Sequence, residues 1–109
     1  MADLATRKCE ACEPGTPPLG REQAEELGKQ LDAEWEIEDK RLVRVAKFKN
    51  FRDAFGLATR VALLAEEQGH HPDLEVGWGR VSIALTTHTA GGLTDNDFIM
   101  AAKIDELLG

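Results

Sequence analysis

The spacing of apolar residues along this chain switches repeatedly between the period of a helix and that of a strand. From Arg21 to Leu31, Ala24, Leu27 and Leu31 recur at helical spacing and predict a first short helix, which Gly28 weakens. Trp35-Glu36-Ile37-Glu38 then alternates as a strand does, Asp39-Lys40 supplies a turn, and Leu42 through Phe48 alternates again. Leu42, Ala46 and Phe48 fall on one side of that hairpin strand, and Val43, Val45 and Lys47 on the other. Arg44 is the polar exception on the first side. The helical period returns at Phe51, Ala54, Phe55, Ala58, Val61, Ala62 and Ala65, which mark one apolar stripe. Asn50 is a good N-cap for this second helix, and Asp53 places negative charge in its first turn. Gly69 stands just past its end, where a positive φ is often required, and Pro72 opposes its resumption.

Leu74 to Trp78 reads as a short strand and Trp78-Gly79 as a turn. Val81, Ile83 and Leu85 then alternate with Ser82, Ala84 and Thr86 in a fourth strand ending near His88. Thr89 to Leu93, with Gly91-Gly92, is a loop. Thr94-x-x-Asp97 fits a capping box with Asp in the acidic place, and Phe98, Ala101, Ile104 and Leu108 form the buried side of a last helix. The order is α-β-β-α-β-β-α. Two hairpins forming one four-stranded antiparallel sheet, with three helices packed on one face, is the layered α+β solution for such a pattern.

Composition narrows the partners. A chain of 109 residues with 42% hydrophobic and 30% charged residues is one ordinary globular domain. A formal net charge of −7 argues against nucleic acid as a partner, because such binding rests on a basic footprint. No apolar run approaches the roughly 20 residues of a membrane span, and Met1 to Cys12 lacks the apolar core of a secretory signal. A cytoplasmic location is the expectation. Residues 1–18 end in Pro14-Gly15-Thr16-Pro17-Pro18 and read as a flexible arm that precedes every predicted core element; residues 19–109 form the domain. Removing the arm is therefore expected to leave any chemistry nearly unchanged. Its Cys9-x-x-Cys12 is a single CxxC. A zinc ribbon needs a second, and a thioredoxin-type motif should open a helix after a strand. Free thiols on a mobile tail are the plainer reading, and a metal or redox role shared between subunits is the alternative.

All three histidines lie within nineteen residues, in His70-His71-Pro72 and Thr86-Thr87-His88. Histidine alone has an unperturbed pKa near neutrality, about 6.5, so this concentration points to proton transfer or metal ligation. If the third and fourth strands form a hairpin about Trp78-Gly79, His70 and His71 fall opposite Thr86 to His88. Three imidazoles then meet at one rim of the sheet. Glu66, four residues before His70 on the last helical turn, could orient an imidazole or bind a polar ligand edge. Two chemistries fit: a three-His zinc site with an open fourth position, or general acid–base catalysis by paired imidazoles. A dry hairpin end with hydrogen-bonded histidines is the alternative to both.

At these residues the chain resembles the pterin-4a-carbinolamine dehydratase family. The resemblance is carried by Ala65-Glu66-Glu67-Gln68-Gly69-His70-His71-Pro72-Asp73, by Trp78, Val81 and Leu85-Thr86-Thr87-His88, and by Gly92-Leu93-Thr94-x-x-Asp97. The upstream Phe48-Lys49-Asn50-Phe51-Arg52-Asp53-Ala54 also fits, so that the match runs from about residue 21 to about 108. It implies the same α+β fold and the dehydration of 4a-hydroxytetrahydropterin to quinonoid dihydropterin and water, in tetrahydropterin recycling, without metal or organic cofactor. It assigns catalysis to His70, His71 and His88. It assigns substrate contact to Glu66, Gly69, Pro72, Thr86, Thr87 and Thr89. Thr89 stands where some members carry an acid, and Leu74 where some carry an aromatic residue. A homodimer or homotetramer and a functional link to an aromatic amino acid hydroxylase are further implications. Relatives of this fold also serve as protein-binding factors, either transcription cofactors or carboxylase assembly chaperones, and that role is the alternative function.

Overall fold

The computed structural model describes residues 4–10 and 15–109. Helix α1 spans Arg21–Gly28, strands β1 and β2 span Glu36–Glu38 and Arg41–Lys47, and helix α2 spans Phe51–Gln68. Strands β3 and β4 span Asp73–Gly77 and Arg80–Leu85, and helix α3 spans Asp95–Leu108. The strands form one antiparallel sheet in the order β1-β2-β4-β3. Both predicted hairpins are present, and they join where β2 pairs with β4, from Leu42 opposite Leu85 to Lys47 opposite Arg80. Leu42, Ala46, Val81, Ile83 and Leu85 turn inward beneath the helices and are buried. No helix among the described residues is long and apolar enough to cross a membrane.

The ends of several elements differ from the sequence reading. Helix α1 stops at Gly28, although Leu31 is still buried. Trp35 precedes β1 instead of joining it, because its indole N–H is drawn to Asp105 Oδ1 at 2.6 Å. Strand β4 ends at Leu85, three residues short of His88. Beyond it Thr87 makes an isolated bridge to Gly92, and His88–Ala90 form a 3-10 turn. Arg44, the polar exception of β2, is explained by the same Asp105, whose Oδ1 accepts from its guanidinium at 2.6 Å.

The stripe on α2 needs a larger correction. Ala54, Ala58, Val61 and Ala65 are buried as expected, but Phe51 and Phe55 are about half exposed, at 48% and 56%, and Ala62 is exposed. Leu57, on the opposite flank, is buried instead. The apolar arc of α2 is wider than the surface the sheet and α3 can cover. The two uncovered rings lie against one another with centroids 6.0 Å apart.

The amino-terminal segment is also corrected. Leu4 and Ala5 belong to the buried core, with Leu4 2% exposed, and Leu4–Thr6 form a 3-10 turn that lies on α3. The Lys103 ammonium donates to the Ala5 carbonyl at 2.8 Å, and Arg7 pairs with Asp95 at 3.2 Å. Helix α3 is consequently covered on two sides. Ile99, which faces away from the Phe98, Ala101 and Ile104 stripe, is only 1% exposed. Cys9 is half-buried; Cys12 lies outside the described residues.

Gly69 ends α2 in the left-handed region, with φ 69° and ψ 23°, and its N–H donates to the Ala65 carbonyl at 2.9 Å. A side chain built there would meet nothing within 4 Å, so any penalty is one of backbone conformation alone. Gly69→Val should cost roughly 1–3 kcal/mol in urea denaturation. Gly69→Asn, which tolerates this region, should cost distinctly less. Equal stabilities for the two variants would contradict the helix-end geometry.

Candidate active site

The hairpin of β3 and β4 pairs Asp73 with Ala84. Extending that register carries the residues after α2 toward Thr86 to His88, as the strand pattern anticipates. The convergence is made by a residue to which the sequence reading gave a place in the helix cap and in the family motif but no role at the site. Asp97, in the first turn of α3, is fully buried at 0% exposure. Its Oδ1 lies 2.6 Å from His70 Nε2, and its Oδ2 accepts from the Thr87 hydroxyl at 2.8 Å and from the Thr94 N–H at 2.9 Å.

The donor pattern of this network follows from chemistry. A carboxylate only accepts, so the proton on the short bond belongs to His70 Nε2 and Thr87 spends its hydroxyl proton on Asp97. The Thr94 hydroxyl, 2.9 Å from that of Thr87, therefore donates to it. The end of α2, the segment after β4 and the start of α3 thus meet on one buried carboxylate. His70 retains Nδ1 as its acceptor nitrogen, with no hydrogen-bond partner among the described residues.

His71 turns elsewhere. Its Nε2 bonds the Glu66 carboxylate, and both side chains are largely exposed. Glu66 therefore orients His71 and not His70, the residue four positions on. The left-handed turn at Gly69 breaks the helical phase, so the next imidazole comes round to meet it. Pro72 is half-buried and leads into β3. His88 is exposed in the 3-10 turn directly after Thr87, and its imidazole has no hydrogen-bond partner among the described residues. Thr89 is exposed beside it. The Thr86 hydroxyl donates to the Lys40 carbonyl at 2.7 Å and so turns away from the Asp97 network. Among the described residues no group of three or more His, Cys, Asp or Glu side chains is arranged to hold a metal ion. His70 and His71 are thus oriented by two different carboxylates, Asp97 and Glu66.

Comparison with known proteins bears on what such a rim does. The family profile described as pterin 4 alpha carbinolamine dehydratase matches residues 17–107. The chain belongs to this family. Proteins provisionally named pterin-4-alpha-carbinolamine dehydratase include a Nitrosomonas eutropha protein, 46% identical over 99% of this chain and 96% of its own. Another, from Rubrobacter xylanophilus, is 48% identical over 98% of this chain and all of its own. A solved structure named as a transcriptional coactivator/pterin dehydratase, from Brucella melitensis, superposes with a TM-score of 0.79. It shares 35% identity and covers 84% of this chain and 99% of that one. The resemblance drawn from His-His-Pro and Thr-His and the α+β fold it implied both stand.

The two carboxylates should differ sharply in what they hold. Asp97→Ala leaves a buried imidazole N–H, a hydroxyl and a backbone N–H without their acceptor, and should lower stability by about 3–5 kcal/mol. Glu66→Gln, at an exposed position, should change it by less than about 0.5 kcal/mol. Denaturant titration of both variants measures the contrast.

Proposed function

We propose that this protein dehydrates 4a-hydroxytetrahydropterin to quinonoid dihydropterin and water by histidine general acid–base catalysis, as a step in tetrahydropterin recycling. The reading is carried by the 2.6 Å bond between His70 and the buried Asp97, beside an intact His-His-Pro and Thr-His. Asp97 sets the tautomer of His70, which leaves Nδ1 as the ring nitrogen able to accept a proton. In the proposed reaction that nitrogen takes the proton from the ring N–H next to the carbinol carbon. The electrons of the N–H bond form the new C=N bond as the C–O bond breaks. The departing oxygen takes a proton from the His88 imidazolium and leaves as water. One proton is accepted and one is given, so the pair is reset by exchange with solvent. Because the ring nitrogen supplies the electronic push, the step calls for no metal or organic cofactor.

His71, oriented by Glu66, is assigned to binding the pterin and assisting. Gly69, Pro72, Thr86, Thr87 and Thr89 are assigned to the segments that contact it. Thr86 and Thr87 have their hydroxyls committed within the protein, so their support for the ligand comes from backbone and shape. A cytoplasmic location, a homodimer or homotetramer, and substrate supplied by an aromatic amino acid hydroxylase belong to the same reading. The protein-binding alternative, as transcription cofactor or carboxylase assembly chaperone, finds support in Phe51, Phe55 and Leu63, which are 48%, 56% and 65% exposed along α2. It also finds support in the coactivator half of the Brucella protein's name.

Stopped-flow dehydration of freshly generated 4a-hydroxytetrahydropterin tests the catalytic reading directly. His70→Ala and His88→Ala should each reduce the rate by roughly 10²–10⁴-fold, the usual scale of general acid–base catalysis, with circular dichroism unchanged. Turnover should survive a chelator. A double variant with wild-type turnover would remove the assignment.

A further inference from the structure

We infer that residues 4–10 form a strap whose role is to position His70 and Asp97, and that Gln68 and Asn96 are the positioning residues through which it acts. The inference rests on the catalytic reading of His70, but its geometry is independent of the substrate. Two consecutive residues of the strap span the two walls of the site. The Cys9 N–H donates to Gln68 Oε1 at 3.0 Å, at the last residue of α2 and two residues before His70. The Glu10 N–H donates to Asn96 Oδ1 at 3.0 Å, and Asn96 Nδ2 returns a hydrogen bond to the Glu10 carbonyl. Asn96 immediately precedes Asp97. Its carboxamide thus pairs with the peptide of Glu10 much as a neighbouring strand would, while being only 8% exposed itself.

The strap is anchored further along α3 by its first residues and again beside Asn96 by Arg7. Leu4 is buried against α3, Lys103 holds the Ala5 carbonyl, and Arg7 pairs with Asp95. A segment fixed at one end and fastened to both the end of α2 and the start of α3 constrains the separation of those two ends. That separation is the one spanned by the His70–Asp97 bond. A second stretch ahead of α1 acts on the same loop. The Leu19 N–H donates to the Leu93 carbonyl at 2.7 Å, and a Cβ on Gly92 would come within 3.0 Å of Pro18. Chain at the boundary between the Pro-rich arm and the domain therefore braces the segment between Thr87 and Asp97 from outside. Misplacing a reacting group by about 1 Å can cost on the order of 10²-fold in rate, so releasing the strap should act on turnover.

The test uses the full chain. Gln68→Met keeps length and volume at a half-buried helix end and removes the acceptor for Cys9. Asn96→Ala removes both bonds to Glu10. Each should lower kcat for 4a-hydroxytetrahydropterin by about tenfold, a fraction of the loss that full misplacement brings, and leave KM within about twofold. Their combined effect should be smaller than the product of the single effects, because both release one strap. The His70 Nε2–H resonance, read by ¹⁵N-correlated NMR without substrate, should shift and exchange faster in both, while sheet amides of β2 and β4 stay in place. An unchanged His70 resonance in folded Gln68→Met overturns the proposal, as does full turnover in both variants. Absence of turnover in the wild-type protein would instead defeat the catalytic reading, and the NMR arm would still decide the strap.

Discussion

The architecture of the site depends on accommodating a carboxylate where water cannot reach it. Burying an ionised acid carries a penalty of several kcal/mol unless its oxygens are met by donors in good geometry. Asp97 meets that demand with an imidazole, a hydroxyl and a backbone N–H, taken from three different parts of the chain. Those donors cannot be satisfied one at a time. Helix α2 must end in the right place, β4 must give way to the Thr87 bridge, and α3 must begin at Asp95. The carboxylate thus couples the closure of the fold to the setting of one histidine's tautomer.

A similar device operates at the far end of α3. Asp105 takes the Trp35 indole, the Arg44 guanidinium and the Asp32 N–H, which ties the first hairpin and the loop after α1 to the last helix. Between the two acids lies the buried body of α3, from Phe98 to Ile104. The helix is pinned by charge at each end and by apolar contact between.

Much of this was legible in the sequence because it is written in short-range period. The two hairpins, the three helices and the αL glycine all follow from residues a few positions apart. What escaped was long-range. Thr94-x-x-Asp97 has the spacing of a helix cap, and a cap engages one carboxylate oxygen; nothing local tells where the second points. The partner of His70 lies 27 residues away. Glu66 does orient an imidazole, but which one is not written in helical spacing, because that spacing does not survive a left-handed residue and the partner is His71. The packing of Leu4 and Ala5 did leave a trace. Ile99 faces away from the predicted core stripe, and α3 carries Met100 and Ala102 outside that stripe as well. A helix apolar on nearly all sides requires cover on more than one, and the composition of residues 1–18 gave no reason to look for it there.

The turn at Gly69 separates two adjacent histidines into different dielectric surroundings. His70 faces a carboxylate shielded from solvent, whereas His71 and Glu66 meet with side chains 59% and 76% exposed. Mobile ions reach the Glu66 carboxylate and hardly reach that of Asp97: at 0.1 M salt the Debye length is about 10 Å, and it governs only charges that solvent surrounds. Ionic strength is therefore a selective reagent for this rim. It reaches the carboxylate that holds one imidazole and leaves its neighbour, one peptide bond away, with its proton where Asp97 keeps it.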